Sequence, residues 1–551
     1  MSIKLFVLIL WVLSSSHVFG VENSPNQTLG NPNAPKGGTF MLNLGNEPTT
    51  LNPLSSTDLT STQVQEYIVE TLLRRNLDTY AWEASLATEW SISDSGLVYE
   101  FTLREGATWH DGKPVTVEDV KFSFEAIMHP DNKYKTAHSK AYYENIEKVE
   151  IIGKNRVRFT AKSLYFRNFD SVAGLAILPR HAYENPTKEQ ERILNRTIIG
   201  SGPYKLDLFN RGRNIVLLAN KDWWGHKDPV NAGYYNFDRI VMRFVRDGTV
   251  ALQRLTRGDL DFNALSPEEY EQKAVGPRWG KDVFKVKVKN QQPKGYTFIG
   301  WNLQNPLFAS RNVRLALYHL INRQEMIDKF LFGHSAPAAG PLYSQSIYAD
   351  PNVKPVPYDP QKARELLAAD GWKAGSDGIL AKNLNGQQRK LSFTIIVPNE
   401  VFVKYLTVFR ENASQQGVDV NIRLIEWNSF VNLLNERNFE AVTLAWSGGA
   451  VDWDPKQIWH SDSATNQGSN FTNYKNPTVD KLIDESRSLM DQEERVKKLR
   501  EVYRIIAEDA PYAFLFNTEH TFYSHTKRMM RKQDTLKFSV GTNYWWIAPP
   551  K

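Results

Sequence analysis

The stretch of sequence that decides the fold class is residues 97–128, LVYEFTLREGATWHDGKPVTVEDVKFSFEAIM. Its first residues alternate between apolar and polar apart from Val98, which is typical of a half-buried strand whose apolar residues are Leu97, Tyr99, Phe101 and Leu103. Residues 106–114 break this pattern with a turn. Thr116 can then cap a helix with Asp119 three residues on, and the helix has an apolar stripe of Val117, Val120, Phe124, Ile127 and Met128. A strand, a turn and a helix in direct succession predict an α/β fold.

Three further segments carry helix signals. After Ser310 the apolar residues recur at helical spacing. Two other helices are predicted to start at an Asx-Pro pair, Asp359-Pro360 and Asn476-Pro477. The Asx side chain can accept a backbone N–H, and proline at the first helical position loses no hydrogen bond.

Composition excludes several classes of protein. The 551 residues are 41% apolar and carry a formal net charge of +6, from 67 basic and 61 acidic residues spread along the chain. This surplus is too small and too dispersed for a nucleic-acid-binding surface. The chain has no cysteine, which excludes disulfides, cysteine-based metal sites and a thiol nucleophile.

The N-terminus has the pattern of a secretory signal peptide over residues 1–20. Lys4 supplies the positive charge, residues 5–13 form an apolar core, and cleavage is expected after Gly20. An apolar core of about nine residues is too short for a membrane anchor. Because a lipoprotein needs a cysteine at the start of the mature chain, we expect a periplasmic protein that is not lipid-anchored.

Catalytic signatures give little support to an enzyme. The sequence has no zinc-protease motif, no nucleophile elbow and no phosphate-binding loop. His110 beside Asp111 is compatible with a catalytic pair or with a turn at Asp111-Gly112, and the turn is favoured. Ser201, between Gly200 and Gly202, is also interpreted as part of a tight turn before a strand.

The most distinctive candidate for a binding site is WSGGAVDWDP, residues 446–455, which follows an apolar strand predicted over residues 441–445. Glycines allow a ligand backbone to approach closely, and tryptophans offer large apolar walls. An aspartate there could neutralise a ligand ammonium. The alternative is a surface loop in which Asp454-Pro455 only caps the next helix. The residues alone leave both interpretations open.

Several motifs, in order along the chain, resemble the family 5 extracellular solute-binding proteins, the oligopeptide and dipeptide receptors of ABC importers. They are residues 45–53 (GNEPTTLNP), 103–116 (LREGATWHDGKPVT) with Asp119-Val120, 200–204 (GSGPY), 305–308 (NPLF) and 311–317 (RNVRLAL). Ser310 stands where the family usually has an acidic residue. Residues 33–38 (NAPKGG) and 229–231 (PVN) are most similar to the YejA-like branch.

The resemblance implies an α/β fold of the periplasmic binding protein type II class, a three-lobed Venus flytrap with discontinuous lobes and mixed sheets. Lobe I would comprise residues 22–58, 197–298 and 511–551. Lobe II would comprise residues 59–196, and lobe III residues 299–510. Lobes I and III would close on the ligand by a hinge motion.

The function implied by the resemblance is that of the substrate-binding component of an ABC importer, which captures small peptides and delivers them to an inner-membrane permease. The implied protein is a monomer and not an enzyme, and it has no cofactor, metal or nucleic-acid partner. By resemblance, the ligand contacts are Glu47, Pro48, Thr49 and Thr50 from lobe I, and Ala445, Trp446, Ser447, Gly448, Asp452 and Trp453 from lobe III.

The resemblance also gives Asp452 the role of binding the peptide ammonium. The spacing departs from the family here, because Asp452 lies three residues before Pro455 where four are typical, and Val451 occupies the usual position. Alternative ligands in the same fold are a metal chelate, haem, an oligosaccharide or a peptide-nucleotide antibiotic. The competing functional class is an exported hydrolase that uses a carboxylate pair.

Overall fold

The structure, a computed structural model, describes residues 29–465 and 468–549. The predicted signal peptide, residues 1–20, lies outside this part of the chain. The described residues divide into two compact units. Unit 1 contains residues 29–39, Asn46–Asn76 and Ala81–Phe244, and unit 2 contains Phe40–Gly45, Leu77–Tyr80 and the chain from Val245 onward.

The strands, in chain order, are β1 (Thr39–Asn43), β2 (Leu73–Arg75), β3 (Trp82–Ala84), β4 (Ala87–Ile92), β5 (Val98–Leu103), β6 (Ile146–Gly153), β7 (Arg156–Ala161), β8 (Tyr204–Asn210), β9 (Asn214–Ala219), β10 (Arg239–Arg243), β11 (Phe262–Leu265), β12 (Val283–Val288), β13 (Tyr296–Trp301), β14 (Ser335–Pro337), β15 (Lys373–Ala374), β16 (Leu380–Leu384), β17 (Gln387–Lys390), β18 (Ser392–Val397), β19 (Asp419–Leu424), β20 (Ala441–Trp446), β21 (Tyr512–Thr518), β22 (Thr521–Thr526), β23 (Met529–Met530) and β24 (Trp546–Ile547).

The α-helices, in chain order, are α1 (Leu59–Gln65), α2 (Val117–Met128), α3 (Ala137–Tyr143), α4 (Asn168–Ala173), α5 (Arg180–Tyr183), α6 (Lys188–Leu194), α7 (Gly248–Arg257), α8 (Arg311–His319), α9 (Arg323–Phe330), α10 (Pro360–Ala369), α11 (Glu400–Ser414), α12 (Trp427–Asn435), α13 (Lys456–Trp459), α14 (Pro477–Ser488) and α15 (Gln492–Asp509).

Unit 1 is built around antiparallel strands. The strands β4, β5, β7 and β6 form a four-stranded sheet in that order, and β8, β9 and β10 form a second antiparallel group. The predicted half-buried strand is β5, in which Tyr99, Phe101 and Leu103 are buried and the residues between them are partly exposed. The predicted helix is α2, which packs Val117, Val120 and Phe124 into the same core. The sequence pattern of residues 97–128 is therefore confirmed.

Unit 2 contains two larger groups of strands. One has the order β12-β22-β11-β1, with β1 parallel to β11 and the other pairs antiparallel. The second is a six-stranded sheet of order β14-β21-β13-β20-β18-β19. In it, β18 runs parallel to both β19 and β20, whereas β13 runs antiparallel to β20 and β21. The predicted mixed sheet is therefore present.

The helix starts in unit 2 follow the predicted capping chemistry. Asp359 accepts a hydrogen bond from the backbone N–H of Lys362 at 2.9 Å, and α10 begins at Pro360. Asn476 accepts from the backbone N–H groups of Thr478 and Val479 at 3.0 and 3.3 Å, and α14 begins at Pro477. The helix predicted after Ser310 is α8.

Within unit 2 the chain crosses between the two strand groups twice. The segment 289–295 connects β12 to β13, and Glu519-His520 connect β21 to β22. Lys289 and Glu519 form an ion pair with an N···O distance of 3.6 Å, which joins the two crossings. The predicted division into three lobes stays a prediction.

Neither a membrane-spanning helix nor a metal-binding cluster is found in the described part. No helix in residues 29–465 and 468–549 is long and apolar enough to cross a bilayer. The same residues contain no group of three or more histidine, aspartate or glutamate side chains placed to hold a metal ion.

Candidate ligand-binding site

The strand that leads into the predicted binding loop, β20, is paired unequally on its two sides. On one side it pairs with β13 along its whole length, from Trp301↔Ala441 to Tyr296↔Trp446. On the other side it pairs with β18 only at Ala441 and Val442. Among the described residues, the backbone on the β18 side of residues 443–446 therefore has no strand partner. This open edge lies next to Ala445, Trp446 and Ser447, three of the predicted ligand contacts.

Trp446 forms an aromatic wall at the end of β20. Its ring stacks at 6.3 Å from Phe298 with an interplanar angle of 14°, and at 5.8 Å from Phe471 with an angle of 5°. The side chain is half-buried, while Ala445 and Ser447 on either side of it are exposed. The stack fixes the orientation of the strand end, and it leaves the neighbouring backbone accessible.

The two glycines of the loop have different roles. A Cβ added to Gly448 would lie 2.1 Å from the backbone oxygen of Pro293, so this glycine is needed where the loop packs on the segment that connects β12 to β13. A Cβ added to Gly449 would have no atom within 4 Å. Gly448 therefore accommodates the protein's own backbone, and Gly449 faces open space.

Asp452, the predicted ammonium-binding residue, already has partners inside unit 2. Its Oδ1 accepts a hydrogen bond from the hydroxyl of Tyr348 at 2.7 Å and lies 3.9 Å from Nη2 of Arg495. Burial, followed by the negative charge of Asp452, raises the pKa of Tyr348 far above its usual value. The side chain of Asp452 is 17% exposed. Within residues 29–465 and 468–549, no hydrogen bond or ion pair involves its second oxygen, Oδ2.

Asp454 and Trp453 serve the packing of the loop. Asp454 accepts from the backbone N–H of Lys456 at 3.1 Å and forms an ion pair with Arg487 at 3.3 Å. Trp453 is buried in the core of unit 2. In the alternative interpretation Asp454-Pro455 caps the next helix. Asp454 does bond to the first residue of α13, Lys456, but the N-cap residue is Pro455 and no side chain forms a cap hydrogen bond.

The predicted contacts of lobe I lie in unit 1, where Glu47, Pro48 and Thr49 line a cavity of about 210 Å³. Glu47 accepts a hydrogen bond from the backbone N–H of Gly212 at 2.8 Å. The hydroxyl of Thr49 donates to Asp58, and that of the buried Thr50 donates to Asn195 at 2.8 Å. The residues that line this cavity are Glu47, Pro48, Thr49, Arg192, Asn195, Arg196, Phe209 and Arg211. Thr50 is not among them.

Sequence reasoning missed an exposed apolar surface at the edge of the sheet of unit 2. Its members are Val401, Leu424 and Trp427, whose exposed fractions are 58%, 49% and 54%. Leu424 is the last residue of β19 and pairs with Val397, the last residue of β18. Because β18, β19 and β20 are mutually parallel, this apolar edge lies at the same end of the sheet as Trp446. A tryptophan at the first position of a helix was the available signal.

Comparison with known proteins identifies the family. The family described as bacterial extracellular solute-binding proteins, family 5 Middle, matches residues 81–469. The chain belongs to this family. It is 29% identical to the oligopeptide-binding protein AppA of Bacillus subtilis, over 99% of this chain and 97% of AppA. It is 26% identical to the probable peptide-binding protein YejA of Agrobacterium fabrum, over 94% of this chain and 90% of that relative.

The solved structures agree with this assignment. The structure of AppA from Bacillus subtilis in complex with a nonapeptide matches with a TM-score of 0.76 and 28% identity, over 94% of this chain and all of the AppA chain. The predicted solute-binding fold of family 5 is therefore confirmed.

The most recognisable motif of this family 5 protein is structural. Asp119, which is buried, accepts four hydrogen bonds: from the backbone N–H and the hydroxyl of Thr116 at 2.8 and 3.0 Å, from the indole of Trp109 at 3.3 Å, and from the backbone N–H of Arg180 at 2.7 Å. One carboxylate thus holds the turn, the start of α2 and the start of α5 together.

His110 joins this motif to the GSGPY segment. Its Nε2 donates to the carbonyl of Gly202 at 3.0 Å, and its Nδ1 accepts from the backbone N–H of Gly200 at 3.4 Å. Burial lowers the pKa of His110 to about 4. In the described part of the chain, the side chain of Asp111 does not hydrogen-bond to His110; its Oδ2 forms a hydrogen bond with Nε2 of His181 at 2.7 Å. The interpretation of Asp111-Gly112 as a turn is confirmed, because Gly112 has a φ of 87° and its N–H donates to the carbonyl of Trp109.

Proposed function

We propose that this family 5 protein is the extracytoplasmic substrate-binding component of an ABC importer, and that it binds small peptides and delivers them to an inner-membrane permease. The names of its relatives support this proposal, since one is an oligopeptide-binding protein aligned over nearly the whole of both chains. The relative named as a probable peptide-binding protein YejA supports it further.

The observation that carries the proposal is the open side of β20. An extended peptide can add a strand beside residues 443–446, because their backbone groups on that side lack a strand partner within the described residues. Main-chain hydrogen bonds of this kind depend little on the sequence of the peptide. A receptor for peptides of varied sequence needs this property.

The ammonium group of the peptide is proposed to bind Oδ2 of Asp452. Tyr348 holds Oδ1 at 2.7 Å and so fixes the orientation of the carboxylate. An ammonium–carboxylate hydrogen bond is strong where the site is partly removed from water. The shifted spacing before Pro455 is accommodated if the loop that starts at Gly448 places Asp452, rather than Val451, beside the end of β20.

Side chains of the peptide are proposed to contact the exposed apolar surface of Val401, Leu424 and Trp427. An exposed group of large apolar side chains at one edge of a sheet is a common feature of ligand sites. Glu47, Pro48, Thr49 and Thr50, the predicted contacts of lobe I, stay proposed ligand contacts.

The decisive experiment is calorimetric titration with di- to pentapeptides and with the same peptides acetylated at the N-terminus. We expect free peptides to bind, and acetylation to weaken binding by about 10- to 100-fold, because it removes a charge-assisted hydrogen bond. The Asp452→Asn variant should bind free peptides more weakly than the wild type, by a similar factor. The same substitution should change the affinity for acetylated peptides much less.

A matched control is Asp462→Asn, which removes a carboxylate that is 80% exposed in the same unit. If Asp452→Asn and Asp462→Asn bind free peptides equally well, the ammonium site is wrong. If no peptide binds, and mass spectrometry of the purified protein finds a chelate, haem or saccharide instead, the peptide assignment is wrong and the fold serves another ligand.

Three further properties belong to the proposal. The protein is exported with cleavage after Gly20, which N-terminal sequencing of the periplasmic fraction tests. It is a monomer, which light scattering tests. It has no hydrolase activity, so bound peptides should be recovered intact by mass spectrometry after prolonged incubation.

A further inference from the structure

A second cavity lies in unit 2, beside β18. Its volume is about 750 Å³, and alternate residues of β18, Ser392, Thr394 and Ile396, line it. The intervening residues of β18, such as Ile395, pack into the core on the other face. None of residues 445–453 lines this cavity.

The walls of the cavity come from four different parts of unit 2. The β16–β17 hairpin contributes Arg389 and Lys390, and β19 contributes Arg423. The turn between α12 and β20 contributes Arg437, and the connection from β13 to α8 contributes Leu307. Buried apolar side chains, Leu307 and Ile396 among them, lie beside a cationic rim. Most of the other lining residues are polar, among them Asn302, Asn305 and Asn438.

The charges around the cavity are strongly unequal. Four of its lining residues are cationic, namely Arg389, Lys390, Arg423 and Arg437, and one, Glu440, is anionic. Glu440 is engaged within the fold, since its Oε2 accepts from the backbone N–H of Thr394 at 2.8 Å. Of the cations, Lys390 has a carboxylate partner, Asp377, at 2.6 Å.

The three arginines have no such partner in residues 29–465 and 468–549. Arg389 and Arg423 are exposed, and no side-chain hydrogen bond or ion pair involves either of them there. Arg437 is half-buried, and the acceptors of its guanidinium are backbone carbonyls: those of Leu434 and Asn435 for Nη1, and those of Thr465 and Gly468 for Nη2. Neutral carbonyls orient a guanidinium without neutralising its charge.

We infer that this cavity, which we call the β18 cavity, binds a small organic anion that carries at least two carboxylate or phosphate groups. Guanidinium groups bind both kinds of anionic group in a bidentate geometry. Two exposed arginines on separate walls would each bind one group, while apolar side chains such as Leu307 and Ile396 contact the carbon skeleton. The β18 cavity is then a second ligand site, and its lining residues differ from those proposed to bind the peptide.

The test is calorimetric titration of the full-length mature protein with citrate and with pyrophosphate, at constant ionic strength maintained with sodium chloride. The variant is Arg389→Gln/Arg423→Gln. The control is Lys481→Gln/Lys497→Gln, which makes the same change in net charge at exposed positions on α14 and α15. Circular dichroism and the thermal midpoint show that both variants remain folded.

We expect saturable binding of at least one of the two polyanions at about 1 mM or below. The affinity for the polyanion should fall by about tenfold per arginine in the arginine variant, and by less than about twofold in the lysine variant. Binding of citrate alone identifies carboxylates as the preferred groups, and binding of pyrophosphate alone identifies phosphates. Binding of both polyanions shows that the cavity recognises negative charge without distinguishing carboxylates from phosphates.

Two results would overturn the inference: no saturable binding of either polyanion, or equal affinity in the arginine and lysine variants. Peptide affinity serves as a separate readout, because the arginine variant should leave it unchanged. A failure of peptide binding and a failure of polyanion binding are therefore distinguishable.

Discussion

His110 has a chemical environment that suits a neutral imidazole. One ring nitrogen donates to Gly202, the other accepts from Gly200, and burial lowers the pKa of the side chain to about 4. A histidine in the unfolded chain has a pKa of about 6.5. Between these values the unfolded state binds more protons than the folded state. The contribution of His110 to stability is therefore present above about pH 6.5 and lost as the pH falls toward 4.

We expect His110→Gln to reduce this pH dependence. A glutamine can keep one donor and one acceptor without titrating. Between about pH 7 and about pH 4.5 the wild type should lose up to about 3 kcal/mol more of its free energy of unfolding than the variant loses. Urea unfolding of both proteins at the two pH values measures the difference. Parallel losses in both proteins would contradict the buried, neutral state of His110.

Asp119 should be among the least replaceable residues of unit 1. Asp119→Ala leaves the indole of Trp109 and the backbone N–H groups of Thr116 and Arg180 without their acceptor, so we expect a loss of about 3 kcal/mol in the free energy of unfolding. Glu125→Ala on the same helix removes a carboxylate that is 57% exposed and should cost about 0.5 kcal/mol. Urea denaturation checks both values, and equal losses would show that the buried carboxylate is dispensable.

Sequence alone could predict that Asp452 lies in the loop after β20, but it could not reveal the partners of this residue. Tyr348 and Arg495 are separated from Asp452 by 104 and 43 positions in the chain, and only the packed unit brings them to its Oδ1. The same applies to Gly448. A glycine beside a tryptophan is compatible with the approach of a ligand, yet the backbone that comes close is that of Pro293.

At the level of elements, β20 offers the clearest prediction about ligand recognition. If a peptide adds a strand beside residues 443–446, its own N–H groups on the side facing β20 must donate to that strand. Methylating one such nitrogen removes a donor and introduces steric bulk, so affinity should fall by about tenfold or more. Methylation of nitrogens that point away should have little effect.

The measurement is calorimetry on a set of peptides in which each backbone nitrogen is methylated in turn. An alternating pattern of sensitive and tolerant positions is expected, because successive N–H groups of an extended chain point to opposite sides. A uniform response along the peptide would contradict strand addition. It would indicate instead that side chains carry the affinity.

Local elements were predictable because their causes are local. The start of α10 depends on Asp359 and Pro360, and the alternation in β5 depends on which residues face one core. The apolar edge of Val401, Leu424 and Trp427 was not predictable in this way. Val401 lies in α11, Leu424 ends β19 and Trp427 begins α12, and they lie at one end of the sheet because β18 and β19 pair in parallel.

At the scale of the whole molecule, the family resemblance rested on motifs spread over much of the chain, and this explains why the fold was predictable. The motifs proved to be architectural where the structure accounts for them, as with Asp119 and with His110 beside the GSGPY segment. Residues that hold a fold together leave stronger sequence patterns than residues that select a ligand. The site was accordingly less predictable than the fold, and the β18 cavity left no motif at all.

Hydrogen exchange over the whole chain can test the two proposed sites together, because a bound ligand slows exchange of the amides that it covers or stabilises. A peptide should slow exchange in residues 441–453 and in residues around Trp427. A polyanion should slow exchange in residues 384–396 and 437–440, the segments that contain most of the lining residues of the β18 cavity. Since both sets lie in unit 2, a general stabilisation of that unit would slow both sets with either ligand. Separate patterns, one per ligand, are the expected result. Identical patterns, together with a loss of peptide affinity in calorimetry when the polyanion is present, would show that the two ligands compete for one site.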